Sequence, residues 1–226
     1  MIKAAVFDLD DTLISEKKYI ESGFRHISSV FSIRYGLNQG EVYRLLLVEF
    51  EKNRKNVFNR VLETFGVDYS ETDIMNFVSQ YRKHFPDIEY YEDVLPMIRS
   101  LRDMGIRVGM ITDGYLDTQK NKLKALNSEL LFDKVILTEE LGREYWKPHL
   151  KSFQMMSEYF DVRYEEMIYV GDNPEKDFYI HEVVPITTIR IVRRDSLYKD
   201  KSYLNGVEED MRIESLSEII SAIKEL

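Results

Sequence analysis

No cysteine occurs anywhere in the 226 residues, which excludes disulfides, thiolate metal sites and cysteine nucleophiles and leaves chemistry to Asp, Glu, His and Ser. Glycine and proline are scarce, at ten and five residues, and they form no long flexible or proline-rich linker. Basic charge is also in deficit. Forty acidic residues against 31 Lys and Arg give a net charge of −9, which argues against nucleic acid as a main partner, because that affinity is made by clustered basic groups. Long apolar runs are missing too. The opening stretch, residues 1–7, meets Asp8, Asp10 and Asp11 too early for a signal peptide, and no segment approaches the roughly 20 apolar residues that a membrane span needs. A cytoplasmic location and no membrane partner are the default expectations.

What is present is the composition of a soluble globular protein, 44% hydrophobic and 31% charged, long enough for one main domain carrying a smaller insertion. Short apolar runs at residues 4–9, 108–111, 134–137 and 167–170 predict buried parallel strands, with a fifth at 187–192. Helical patterns lie between most of them. Residues 92–104 place Leu95, Ile98 and Leu101 on one face and stop at Gly105, and residues 149–160 align Phe153, Met156 and Phe160. Strands alternating with such helices predict an α/β fold: a Rossmann-like parallel sheet with helices on both faces.

The alternation breaks between residues 15 and 91. Amphipathic patterns at 19–35, 41–53, 55–65 and 70–85 follow one another without a strand, and in the last of them Ile74, Phe77, Val78 and Tyr81 keep the spacing of a helix packed by one face. This predicts a core of residues 1–14 and 92–226 and a small all-helical domain of residues 15–91.

Candidate chemistry collects where the predicted strands end, the place an open α/β sheet reserves for its ligand crevice. Asp8, Asp10 and Asp11 follow the first strand. Thr112, Asp113 and Gly114 follow the second, offering a hydroxyl and turn N–H groups to an anion. Lys147 and Pro148 precede a helix, and Gly171, Asp172 and Asp177 follow the fourth strand. Each group taken singly has a plain structural reading as a cap, a turn or a solvated surface residue.

Together and in this order, Asp8-Leu9-Asp10-Asp11-Thr12, Thr112-Asp113-Gly114, Lys147-Pro148 and Gly171-Asp172 with Asp177 resemble the four motifs of the haloacid dehalogenase superfamily. The resemblance spans essentially the whole chain. It implies a Rossmann-like core, and it makes the helical segment the cap of the subgroup that carries one after its first strand. It also implies a magnesium-dependent phosphatase with Asp8 as nucleophile and Asp10 as general acid and base. Lys147 would offset charge on Asp8 and on the phosphate, with Thr112 and Asp113 at the phosphate and Thr12 orienting the loop. Mg²⁺ would be held by Asp8, the Asp10 carbonyl and Asp172, with Asp177 supporting that shell.

Three positions depart from the usual pattern. Asp113 stands where Asn is frequent, Leu150 where a second proline is frequent, and Asp11 where Gly or Asn is frequent. The extra charge of Asp113 and Asp11 predicts a tighter dependence on the metal. Dehalogenases of the superfamily need neither a second acid nor a metal, so Asp10 and Asp172 speak against that activity. A phosphomutase, or an interaction protein that keeps the fold, remains the alternative. The expected partner is a small phosphorylated metabolite, a sugar phosphate or a nucleotide. Tyr19, Phe24, Arg25, His26, Arg54 and Lys55 are unassigned between cap core and substrate contact. Arg193-Arg194 reads as a solvated basic turn, and the sequence leaves the oligomeric state open.

Overall fold

Strand β1 (Ala4–Phe7) has every residue buried, because both faces of its sheet are covered and no position is left for a polar side chain. The computed structural model describes all 226 residues. It adds β2 (Arg107–Thr112), β3 (Lys134–Leu137), β4 (Met167–Gly171), β5 (Thr187–Ile191) and β6 (Met211–Ile213) in one parallel sheet of order β3-β2-β1-β4-β5-β6. The strand order reverses on either side of β1. Phe7 pairs with Met110 on one side and Val170 on the other, so the ends of β1, β2 and β4 lie within two residues of one another beside Asp8.

The helices in chain order are α1 (Glu16–Tyr35), α2 (Gln39–Lys52), α3 (Val57–Thr64), α4 (Glu71–Lys83), α5 (Val94–Asp103), α6 (Leu116–Ala125), α7 (Leu150–Phe160) and α8 (Ile219–Lys224). Side chains alternate across β1. Ala5 and Phe7 enter one core layer with Leu101 of α5 and Ile219 of α8, while Ala4 and Val6 enter the other with Phe153, Met156 and Phe160 of α7. The chain is thus a Rossmann-like α/β protein carrying an additional helical unit.

Two compact units emerge, residues 1–17 with 88–226, and residues 18–87. The second is all helical. Its core holds Phe24, Phe31, Leu46, Phe58, Leu62 and Phe77, with the Phe31 and Phe77 rings edge-on at 4.8 Å between centroids. Asn38 caps α2, and Ser70 with Asp73 forms a reciprocal capping box at the start of α4. Buried Glu49 of α2 accepts from Arg60 of α3 at 2.7 Å, fixing one helix against the next. Gly23 is where α1 meets α4: a Cβ there would lie 2.3 Å from the Tyr81 ring.

Two details differ from the pattern read in the sequence. Leu95 is exposed, and Val94 and Met97 join Ile98 and Leu101 on the buried face of α5, because the helix begins at Val94 and its apolar stripe is rotated by one residue. Strand β6 is additional. It is three residues long at the sheet edge, with Arg212 exposed at its centre, and carries no apolar run to announce it.

Candidate active site

The turn after β1 is held from several directions. The Asp8 N–H donates to the Val170 carbonyl at 2.9 Å, extending the pairing with β4 by one residue. Leu13 and Ile14 both donate to the Leu9 carbonyl, closing the turn, and Asp11 sits within it at φ 52°. That left-handed conformation is the reason Gly or Asn is favoured here, and Asp tolerates it when its carboxylate is tied down. Asp11 accepts from the Glu16 and Leu197 N–H groups, each at 2.8 Å, and burial pushes its pKa up to about 6.

Arg193 is not a solvated basic residue. It is buried, pairs both oxygens of Asp93 at 2.7 and 2.9 Å, donates to the Thr12 carbonyl at 3.0 Å and stacks on Tyr91. A lone basic pair in a loop gives no sequence signal for this, since its partners lie 100 and 181 residues away. The Thr12 hydroxyl itself is buried without a hydrogen-bond partner.

Asp8 lies at the centre of a buried charge cluster. Lys147 Nζ donates to Asp8 Oδ1 at 2.6 Å, to Asp177 Oδ1 at 2.8 Å and to the Tyr169 hydroxyl at 2.7 Å, using all three ammonium protons. Burial works against the lysine's charge, but Asp177, Asp8 and Asp113 hold its pKa well above the ordinary value. Burial likewise raises Asp8 to about 6, against the pull of Lys147. Asp177 commits Oδ2 to the Asn173 N–H at 2.9 Å, and Asp172 takes the Ser196 hydroxyl at 2.8 Å.

Carboxylate oxygens of Asp8, Asp172 and Asp177 fall within 4.8 Å of one another, all buried. Burial and the neighbouring Asp177 and Asp8 drive the Asp172 pKa well above the carboxylate range. Three hard oxygen donors drawn together at that electrostatic cost fit a small divalent cation. Both oxygens of Asp177 are already engaged, whereas Asp8 and Asp172 are committed through one oxygen each.

The third strand end brings Thr112 and Asp113 beside this cluster. The Asp113 carboxylate accepts from Thr138 at 2.7 Å, from the Lys147 N–H at 3.2 Å and from Lys176 Nζ at 3.0 Å. Against the cost of burial, the charges of Lys147 and Lys176 hold its pKa low. Its negative charge is therefore matched locally, and its side chain anchors the loop that carries Lys147. The Thr112 hydroxyl accepts from Gln119 Nε2 at 2.6 Å. Asp10 accepts from Lys122 Nζ at 2.6 Å and from Gln119 Nε2 at 3.1 Å. Near Asp10, burial and the Asp10 charge push Glu16 up to about 7.

The structure thus gathers Asp8, Lys147 and Asp177 into one hydrogen-bonded cluster, with the Asp172 carboxylate beside it. Thr112 and Asp10 are joined through Gln119, and Asp113 is joined to the cluster through the Lys147 backbone. Sequence reasoning missed Tyr169, Lys176, Ser196, Gln119 and Lys122. Only α6 carries a visible signal: it has two leucines in ten residues, too few for a core helix, yet Thr118, Gln119 and Lys122 are buried.

Residues 5–181 match the family model described as haloacid dehalogenase-like hydrolase. Two proteins named glyceraldehyde 3-phosphate phosphatase are similar along their whole length. The one from Methanopyrus kandleri is 31% identical, with 100% of this chain and 99% of that protein covered. The one from Methanocaldococcus jannaschii is 30% identical, with the same coverage. Among solved structures, a HAD phosphatase from Thermococcus onnurineus is similar at 24% identity and a TM-score of 0.63, with 98% of each chain covered.

Proposed function

The chain belongs to the haloacid dehalogenase-like hydrolase family and is a phosphatase within it, and we propose that it hydrolyses a small sugar-type phosphomonoester, with Mg²⁺, through an aspartyl-phosphate on Asp8. The observation that carries this reading is the buried Asp8–Lys147–Asp177 cluster with Asp172 beside it. An ionised nucleophile can be kept there only among fixed counter-charges. The two full-length relatives named for glyceraldehyde 3-phosphate favour a short phosphorylated carbon chain over a nucleotide.

In the proposed sequence an Asp8 carboxylate oxygen attacks phosphorus, and the bond from phosphorus to the leaving oxygen breaks as Asp10 gives that oxygen a proton. Water then attacks the acyl phosphate while Asp10 takes up its proton, which releases phosphate and regenerates the Asp8 carboxylate. Lys147 keeps its protons throughout and offsets the charge gathered between Asp8 and the phosphoryl oxygens. The Thr112 hydroxyl and the N–H groups of its turn grip those oxygens. Asp8, the Asp10 carbonyl and Asp172 would hold the Mg²⁺, with Asp177 orienting Lys147 and the Asn173 backbone around it. When bound, the ion neutralises phosphate charge that otherwise repels a carboxylate nucleophile. The helical unit, residues 18–87, is the proposed cap and the proposed source of substrate selection.

The test is phosphate release from a panel of sugar phosphates, nucleotides and p-nitrophenyl phosphate, with Mg²⁺ or EDTA, for the parent and Asp8→Asn. Release that requires both Mg²⁺ and Asp8, greatest on a three- to six-carbon sugar phosphate, is the expected result. Conversion of a sugar 1-phosphate into its 6-phosphate without free phosphate would replace the phosphatase by a mutase.

A further inference from the structure

Gln119 and Lys122 occupy adjacent positions on one face of α6, spaced i and i+3, and both side chains are buried. A lysine is rarely enclosed without a reason in its partners. Here Lys122 Nζ lies 2.6 Å from Asp10 Oδ1, and Gln119 Nε2 lies 3.1 Å from Asp10 Oδ2, so each carboxylate oxygen has its own donor. The second proton of the same Gln119 amide goes to Thr112 Oγ1 at 2.6 Å. The amide orientation follows from chemistry, because a flipped Gln119 would set its carbonyl oxygen against a carboxylate.

Gly114 adds an independent observation. It lies at φ 140°, and a Cβ there would come within 3.1 to 3.3 Å of Gln119 Cδ, Cγ and Oε1. The glycine that follows Thr112 and Asp113 leaves the space that the Gln119 amide needs.

Resting on the phosphatase reading above, we propose that Gln119 and Lys122 are positioning residues that hold the Asp10 carboxyl and the Thr112 hydroxyl on one phosphoryl group. With its acceptor side taken by Gln119, the Thr112 hydroxyl has its own proton left for a phosphoryl oxygen. Lys122 fixes the Asp10 carboxyl and offsets its charge, so that two carboxylates two residues apart serve one phosphorus. Neither residue touches the reacting atoms. Both half-reactions need an aimed Asp10, except where the leaving group departs without a proton.

p-Nitrophenolate is such a leaving group. With p-nitrophenyl phosphate, Lys122→Met is expected to keep a rapid burst of about one nitrophenolate per enzyme. Its steady-state rate should then fall about 100-fold, the scale of a lost general base, as phosphoenzyme accumulates. On the best alkyl phosphate of the panel, single-turnover phosphoenzyme formation should fall about 100-fold as well, because that leaving oxygen needs its proton. Lys122→Arg, which keeps the charge, is expected to recover much of the steady-state rate. Gln119→Leu provides the same burst test should Lys122→Met not fold, and it should also raise the inhibition constant for inorganic phosphate about tenfold through the loss of one hydrogen bond near Thr112. A steady-state rate unchanged in both variants, or burst and steady state lost in equal proportion, would overturn the proposal. Absence of any Asp8-dependent release of nitrophenolate and phosphate by the parent would instead overturn the phosphatase reading on which it rests.

Discussion

Asp113 illustrates how a single side chain changes meaning once its neighbours are known. From the sequence it is an added negative charge beside a phosphate site, and tighter metal dependence is the expectation. In the fold its carboxylate is balanced by Lys176 at 3.0 Å and anchored by Thr138 and the Lys147 N–H. Asp113→Asn keeps an oxygen for the two neutral donors and removes the charge that faces Lys176. The expected result is a loss of about 1–2 kcal/mol in urea unfolding, with the Mg²⁺ concentration for half-maximal activity unchanged. A shift of that midpoint with stability intact would return Asp113 to the metal. The positions that the motifs mark are legible in sequence because the family's order marks them, one after each strand or before a helix. Lys176 and Lys122 were not, because a lysine on a loop or on a helix of mixed charge reads as solvated until its distant carboxylate partner is known.

At the scale of elements, the strands were legible because runs such as Ala4–Phe7 and Met167–Gly171 are apolar on both faces, as a doubly covered parallel sheet demands. The ends of those strands carry a tighter constraint. Gly171 closes β4 without a positive φ, so its role is space: an added Cβ would lie 2.5 Å from Asp177 Oδ2 and 2.7 Å from its Cγ. Gly171→Ala is therefore expected to push the Asp177 carboxylate off Lys147 and the Asn173 N–H. Phosphatase activity should fall by about 100-fold or more, a scale set by misplacing catalytic groups by roughly an ångström. Far-UV circular dichroism should stay that of the parent. Activity within a few-fold of the parent would mean that the loop carrying Asp177 relaxes, and that its position against β4 is not what sets the cluster. Strand β6 escaped because its three residues at the sheet edge bury only Ile213, below any periodic signal.

For the molecule as a whole, the assembled carboxylates tie folding to both protons and cation. The ordinary values of 3.8 for Asp8 and 4.5 for Glu16 rise to about 6 and about 7 in the folded chain, chiefly through burial, and Asp172 is raised well above its ordinary value by the same cause. Asp10, Asp11, Lys122 and Lys176 are the charged groups that act on Glu16. Over that interval the folded state holds protons that the unfolded chain has released. Metal-free stability must therefore fall as pH rises through it, and the penalty vanishes below the ordinary values. Mg²⁺ competes with those protons at Asp8 and Asp172, so its stabilising effect should grow over the same interval. At a free concentration of 100 times its dissociation constant, a ligand bound only by the folded state contributes about 2.7 kcal/mol. For a chain of this size that is a rise of about 5–10 °C in the unfolding transition that contains the sheet. Thermal unfolding in EDTA and in Mg²⁺ between pH 5 and 8 measures both effects at once, with Asp172→Asn as the control that should flatten the difference. A gap between the two curves that narrows toward pH 8, or one that Asp172→Asn leaves unchanged, would show that the cation is not held by these carboxylates.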